Sequence, residues 1–565
     1  MPTSSPYRHL DIPNVDLWTF LFERKDRPYP DDQILFMDAD TKRHYTYADT
    51  KESAAAFGKG LKFLWNWKKG DVLTLFAANG IDYPIITWGT LWAGGVISPA
   101  NPLYTVDELA FQLKNSRARA VVTQIPMLRV AREAAKRVGI PEDRVILMGD
   151  DRDPEGRAKH FTSIRNTSGT SRYIKSKVNP KTDVAFLAYS SGTTGLPKGV
   201  MLSHTNIVAN VLQNFEVDGR SIGWKGGPDG KGDRILSFLP FFHIYGLTVV
   251  VHALIYAGCR VIVMPKFDLE KWCAHVQNFR IIYSYVVPPI VLLLGKHPIV
   301  DKYDLSSLRM LNSGAAPLTR ELVEVTSTRL KIGVKQGYGL SETSPTSHAQ
   351  LWDEWDKSMG SVGKLLPNME AKYMTTSESG HEPREVPVGE IGELYMRGPN
   401  IFLGYHNNPE ATAGCLSADG WFRTGDVGYQ DKEGNFYITD RAKELIKYKG
   451  FQVAPAELEG LLIDSEAVYD VAVIGIESKA HGTEVPRAYI VRSAKSKASG
   501  VSPAKEAANI TDWLHQKITN HKRLRGGIRF VDEIPKSASG KILRRILKER
   551  ARREEEILAI PTAKL

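Results

Sequence analysis

The sequence predicts an α/β protein: a large N-terminal domain of helix-covered sheets with a β-rich subdomain, and a small C-terminal α+β domain. Three observations lead there. At 565 residues the chain is longer than a single hydrophobic core serves. Its first half alternates strand-like and helical stretches. After Val386 the texture turns to short β-like runs and turns, and after Asp440 to a compact region with a strand and a helix of its own.

In chain order, "DVLTLFAANG" from Asp71 reads as strand then turn and "IDYPIITWGTLWAGG" from Ile81 as a helix ended by glycines. "ARAVVTQ" from Ala118 reads as strand and "MLRVAREAAKRVG" from Met127 as helix, the alternation that builds parallel sheets. "GLTVVVHALIYAGCRVIVMP" from Gly246 is interrupted by His252, Gly258 and Arg260. It reads as buried helix, turn and strand, because a membrane span needs about 18 consecutive apolar residues. "DKEGN" from Asp431 signals a hairpin. "VYDVAVIGI" from Val468 reads as strand, "SAKSKASGVSPAK" from Ser493 as a surface loop and "ANITDWLHQKITNH" from Ala508 as helix. The expected domains are 1–440 and 441–565.

Composition narrows the class. With 42% hydrophobic and 24% charged residues the chain is neither disordered nor collagen-like. The net charge of +10 is concentrated in "HKRLRGGIRF" from His521 and "GKILRRILKERARR" from Gly540. No aromatic interleaving accompanies it and "EEE" follows from Glu554, so no nucleic-acid partner is expected. A solvated amphipathic helix is the plain reading; attraction for a polyanionic small molecule is the other. Cys259, Cys273 and Cys415 are odd in number and have no metal-ligand spacing, which suits a reducing compartment without disulfides or structural zinc.

The chemistry gathers around "SSGTTGLPKG", Ser190 through Gly199. Gly192 and Lys198 have Walker A spacing, but Pro197 stands in place of the second glycine and Gly199 in place of the hydroxyl residue that would bind Mg²⁺. Proline has no N–H to offer a phosphate. What remains is a loop in which Ser190, Ser191, Thr193 and Thr194 offer hydroxyls, Gly192 and Gly195 permit close approach, and Lys198 supplies charge.

Eight motifs follow one another in a single order: "YSSGTTGLPKGVMLSH", "FLPFFHIYGL", "LNSGAAPL", "QGYGLSET", "GELYMRGPNIFLGY", "WFRTGD", "DRAKELIKYKGFQVAPAELE" and "PKSASGKILRR". With them the chain, from about residue 30 to about residue 550, resembles the adenylate-forming superfamily. That superfamily comprises acyl- and aryl-CoA ligases, firefly-type luciferases and peptide-synthetase adenylation domains. The likeness is greatest to 4-coumarate:CoA ligase.

The resemblance implies two half-reactions, with ATP, Mg²⁺ and coenzyme A as cofactors and a small carboxylic acid as substrate. In the first, the carboxylate attacks the α-phosphate of ATP, giving acyl-adenylate and pyrophosphate; an ionised carboxylate needs no general base. By resemblance the Ser190–Lys198 loop holds the phosphates and Glu342 the metal. Gly314, Ala315 and Ala316 with Gln336, Gly337, Tyr338 and Gly339 form the adenine slot, Tyr338 stacking on the base, and Ser341 also binds the nucleotide. Asp426 and Arg441 take the ribose. Lys541 bridges carboxylate and α-phosphate oxygens, and His243 orients the carboxylate. In the second half-reaction the small domain rotates about Lys443 and presents Lys447 and Gln452, with Lys449 and Gly450 at the coenzyme A. Ile244, Tyr245, Pro345 and Thr346 line the acyl pocket. Coumarate ligases usually carry "GP" and an aliphatic residue where this chain has "SPT", so an aryl-alkanoic or medium-chain acid stands beside a hydroxycinnamic-like one. A luciferase-like oxygenase, a carrier-loading enzyme and a non-catalytic nucleotide-binding protein remain alternatives. The final Ala563, Lys564 and Leu565 resemble the address read by the peroxisomal import receptor, which makes peroxisome the expected location and cytoplasm the alternative.

Overall fold

The computed structural model describes residues 2–190, 197–375, 383–449, 451–478, 481–537 and 540–559. Among them the strands form two large helix-covered sheets, a smaller antiparallel sheet and two small C-terminal sheets. The first large sheet is built on Val72–Phe76, Val96–Ala100, Ala118–Thr123 and Val145–Leu147, paired parallel, and is extended by Val184–Ser190 and Lys198–Ser203. Val72–Phe76 is buried throughout, which suits a central strand covered on both faces. The second large sheet carries Arg234–Ser237, Arg260–Val263, Tyr283–Val286, Met310–Ser313 and Gly333–Gly339 as parallel neighbours. Met310–Ser313 and Gly333–Gly339 lead at their C-terminal ends into Gly314–Ala316 and Ser341–Thr343, at the cleft described below.

Local chemistry accounts for the helices. Tyr47–Trp65 starts on a capping box in which Thr46 and Asp49 satisfy each other's amides. Leu128–Val138 buries Ala131, Ala134 and Ala135, keeps Lys136 and Arg137 in its last turn, and ends on Gly139. Asp82–Trp92 is buried on every side, as its apolar sequence requires.

Two segments depart from expectation. Gly246–Ala253 is buried and helical but wound as a π-helix before Leu254–Tyr256 resumes α geometry. The Leu247 carbonyl accepts a hydrogen bond from His252 Nδ1 at 2.7 Å, a side-chain contact spanning the same five-residue step. The segment from Ser493, expected as a loop, holds the helix Ala494–Ala498 and the start of Pro503–His515. Ser493 and Ser502 act as N-caps, with Pro503 at the first helical position, so the residues that suggested a loop start helices.

The antiparallel sheet joins Glu370–Met374, Gly392–Arg397, Phe422–Gln430 and Phe436–Arg441. Beyond it lies a separate C-terminal domain with its own hydrophobic clusters: Ile446, Leu458, Val473 and Leu514 in one, Ile474, Tyr489 and Leu547 in another. Its hairpin pairs Val468–Ser478 with Thr483–Arg492, and the helix Arg544–Ala559 packs against the former strand. No helix among the described residues is long and apolar enough to cross a membrane.

Candidate active site

The cleft lies where both large sheets, the antiparallel sheet and the C-terminal domain converge. Ser190 ends one strand and Lys198 begins the next, directly opposite each other, so the two ends of the phosphate-loop motif are pinned together. Ser191, Gly192, Thr193, Thr194 and Gly195 lie outside the described residues, as do Gly450 and the Ala563–Leu565 tripeptide. Lys198 Nζ stands 5.0 Å from the centre of the Tyr405 ring.

Gly314, Ala315 and Ala316 follow Met310–Ser313, with Ala315 in a left-handed conformation at φ 71°. A Cβ at Gly314 would come within 3.2 Å of the Tyr245 ring, and one at Gly339 within 1.9 Å of the Pro345 carbonyl. These two glycines therefore let the loop and the Gly333–Gly339 strand approach the pocket walls. Gln336 is buried, with its side-chain Nε2 unpartnered among the described residues, as is Asn312 Oδ1 on the adjoining strand. An unpaired donor and an unpaired acceptor suit a heterocycle that carries both. The Tyr338 hydroxyl donates to Asp426, and Arg441 Nε lies 3.4 Å from Asp426 Oδ1 across paired strands. Gly337 and Ser341 flank Tyr338 on the same strand and the short turn that follows it.

Glu342 is 8% exposed, in the turn Ser341–Thr343, and its Oε1 accepts a hydrogen bond from Tyr405 Oη at 2.8 Å. Tyr405 was not singled out from the sequence, although it closes the "GELYMRGPNIFLGY" motif. Its motif membership was the available signal; its partner was not.

Of the residues expected at the acyl pocket, Ile244 is buried and the Tyr245 hydroxyl donates to the Asn312 carbonyl at 3.2 Å. Pro345 and Thr346 lead into the strand Thr346–Ala349, held there by Asn210. His243 Nδ1 accepts the Tyr245 N–H at 3.3 Å, so Nε2 carries the proton of the neutral ring. Burial, and then the charge of Lys541, push its pKa down to about 3.

Lys541 comes from the C-terminal domain into this cleft. The turn before it includes Gly540, at φ 81°, where a Cβ would meet Val287 at 3.3 Å. Burial and then the Arg441 guanidinium lower its ammonium below the ordinary lysine value, against the pull of Asp426, Glu342 and Glu444. The cleft thus gathers Lys541, Arg441, Asp426, Glu342 and His243 from both domains.

Lys447 and Gln452 are not in that cleft. They pair across the small ribbon Ile446–Tyr448 and Phe451–Val453, on a different face of the C-terminal domain. There they line a groove of about 550 Å³ with Lys443, Arg423, Glu393 and Glu484. Glu484 accepts the Lys447 N–H at 2.9 Å, and the Thr483 hydroxyl donates to the Lys447 carbonyl. Lys449, at φ 46°, donates its N–H to Thr483 Oγ1 at 3.2 Å.

A two-domain fold whose cleft gathers cations and carboxylates, with one lysine supplied from the smaller domain, is the arrangement that an adenylate-forming enzyme needs. The chain belongs to the AMP-binding enzyme family: residues 22–406 match the family and residues 457–541 match the AMP-binding enzyme C-terminal domain. It is 39% identical over 563 residues to a probable 4-coumarate–CoA ligase 1 of Dictyostelium discoideum, covering 97% of both chains. A 4-coumarate–CoA ligase of Pinus taeda is 36% identical over 545 residues, covering 95% of both. ATP-bound MatB from Rhodopseudomonas palustris superposes with a TM-score of 0.81 at 27% identity, over 95% of this chain and 99% of that one. The chain is accordingly an acyl- or aryl-CoA ligase of this family.

Proposed function

We propose that the enzyme activates an aryl-alkanoic, hydroxycinnamic-like or medium-chain carboxylic acid in two half-reactions on two faces of its small domain, 441–565, which turns about Lys443. The observation that carries this reading is the separation of Lys541, in the cleft, from Lys447 and Gln452, in the outer groove.

In the first half-reaction a carboxylate oxygen forms a bond to the α-phosphorus of ATP and pyrophosphate departs with the electron pair of the broken P–O bond. Lys541 neutralises charge on the carboxylate and α-phosphate oxygens, and the neutral His243 donates from Nε2 to hold the carboxylate in line. The Ser190–Lys198 loop holds the β- and γ-phosphates, Asp426 and Arg441 hold the ribose, and Tyr338 with Gln336 and Gly314–Ala316 hold the adenine. In the second half-reaction Lys447 and Gln452 turn inward with Lys449 and Gly450. The coenzyme A thiol gives up its proton to solvent, its sulfur forms a bond to the acyl carbon, and AMP leaves with the electron pair of the broken C–O bond.

Glu342 fits a magnesium site. Its Oε1 is held by Tyr405, and among the described residues Oε2 accepts no hydrogen bond. No cluster of three metal-ligating side chains occurs among the described residues, which suits an ion bound by one carboxylate, substrate phosphates and water. Bound there, Mg²⁺ would offset the phosphate charge. Tyr405→Phe is expected to raise the Mg²⁺ concentration for half-maximal adenylation about tenfold, while a titration with no shift would remove Tyr405 from the positioning of Glu342.

Pyrophosphate release across a panel of carboxylic acids, with and without coenzyme A, tests the assignment. A signal stimulated by coenzyme A for one acid class supports the ligase and identifies its pocket. Pyrophosphate without stimulation favours a carrier-loading or luciferase-like enzyme instead.

We also propose that Ala563–Lys564–Leu565 directs the chain to peroxisomes through the import receptor. A fluorescent protein ending in the last 12 residues is expected to concentrate in peroxisomes, and deleting its final leucine to disperse it; unchanged distribution of the two would refute the address.

A further inference from the structure

The joint between the domains contains a carboxylate that the catalytic scheme does not use. Asp440 stands near the end of the strand Phe436–Arg441, paired with Val427 in the antiparallel sheet of the large domain. It is 6% exposed. Its Oδ2 accepts the N–H of Ala456 at 3.0 Å, and its Oδ1 accepts the N–H of its neighbour Arg441 at 2.7 Å. Ala456 belongs to the helix Pro455–Ile463 of the small domain, whose own N-cap residue, Ala454, has no side chain able to cap it. A helix of this kind leaves its first amides unsatisfied unless an acceptor is brought to them. Here the acceptor comes from the other side of the hinge.

The surroundings make the contact specific to one orientation. The charge of Arg544, three residues beyond Lys541, is felt by Asp440. Its Nε donates to Glu444 at 2.8 Å, its NH2 donates to Glu459 Oε2 at 3.0 Å, and its NH1 donates to the Val473 carbonyl at 3.0 Å. Those three partners all lie beyond Lys443 and turn with Arg544. Asp440 lies before Lys443 and would be left behind. Rotation therefore separates Asp440 from both Ala456 and Arg544, in the same movement that withdraws Lys541.

We infer that Asp440 is a positioning residue for adenylation: by capping the Pro455–Ile463 helix from across the hinge, it holds the small domain in the orientation that keeps Lys541 in the cleft. The inference rests on the two-face ligase reading. The oxygen that receives the Ala456 amide is what matters, since burying a full charge in the joint is itself costly.

Single-turnover measurements on the full chain separate the steps. Pyrophosphate release without coenzyme A reads adenylation, and acyl-CoA formation from supplied acyl-adenylate reads the second step. Asp440→Ala is expected to slow adenylation five- to tenfold and leave the second step equal to or faster than that of the native chain. Asp440→Asn retains an oxygen for the Ala456 amide and is expected to stay within twofold in both steps. Should the alanine variant fail to fold, Asp440→Glu, one methylene too long for the joint, carries the same expectation as alanine. Equal slowing of both steps, or unchanged adenylation in a soluble alanine or glutamate variant, would overturn the assignment. A native chain that adenylates an acid but forms no thioester would overturn the ligase reading, whereas the effect of Asp440 on adenylation would still report on the latch.

Discussion

Lys541→Ala is expected to lower the rate of acyl-adenylate formation by about 10²- to 10³-fold, the loss typical when one preorganised group is removed from a site of developing charge. Acyl-CoA formation from supplied acyl-adenylate should stay within about threefold, because in the proposed scheme that step uses another face of the domain. Equal loss of both steps would refute the two-face assignment. The pH dependence has a definite sign. Burial and Arg441 depress the Lys541 pKa, so the ammonium needed for charge neutralisation is lost as pH rises through a value below that of an ordinary lysine. The ratio kcat/KM for ATP, which reports the free enzyme, should therefore fall on the alkaline side, and this limb should vanish in the alanine variant. His243, with a pKa near 3, is neutral from pH 5 upward and should contribute no inflection between pH 5 and 8.

Lys447→Ala should behave as the mirror image. Adenylation should remain within about threefold of the native rate, while acyl-CoA formation from the adenylate falls on the order of 10²-fold through lost positioning of the reactants. The contrast follows from the ribbon that carries Lys447. Its backbone is held by Glu484 and Thr483 in the outer groove beside Lys443, away from Asp426 and Glu342. Loss of adenylation in this variant would place Lys447 in the first half-reaction and refute the assignment of the groove. A chain carrying both substitutions should lose both steps, each by about its single-variant factor, since in the proposed scheme the two lysines act at different times.

Much of the architecture is legible in the order of residues. The alternation from Asp71 to Gly139 becomes parallel strands and covering helices, because period and length there are local properties. The π-wound Gly246–Ala253 is not legible: its apolar sequence says only that it is buried, and burial is compatible with either hydrogen-bond step. The helix Ala494–Ala498 escapes notice because serine serves equally in loops and as a helix cap.

The candidate site divides in the same way. Its residues occur in short contiguous motifs, so the glycines that allow close approach, the hydroxyls of the phosphate loop, Glu342, Asp426 and the lysines are all visible in one dimension. Only the folded chain brings Tyr405 to Glu342, Asp440 to Ala456, and Lys541 to Arg441 while Lys447 faces outward. These pairings join residues 16 to 100 positions apart, Tyr405 and Glu342 within the large domain and the other two at the joint with the small one. The sequence determined by itself the α/β class, the motifs and the chemistry they can support, because these depend on residue type and short spacing. Only the tertiary structure shows which face of the small domain meets the cleft, because the contacts that seat it, the Ala456 amide on Asp440 and Lys296 on the Ile463 carbonyl among them, join residues that no local pattern pairs.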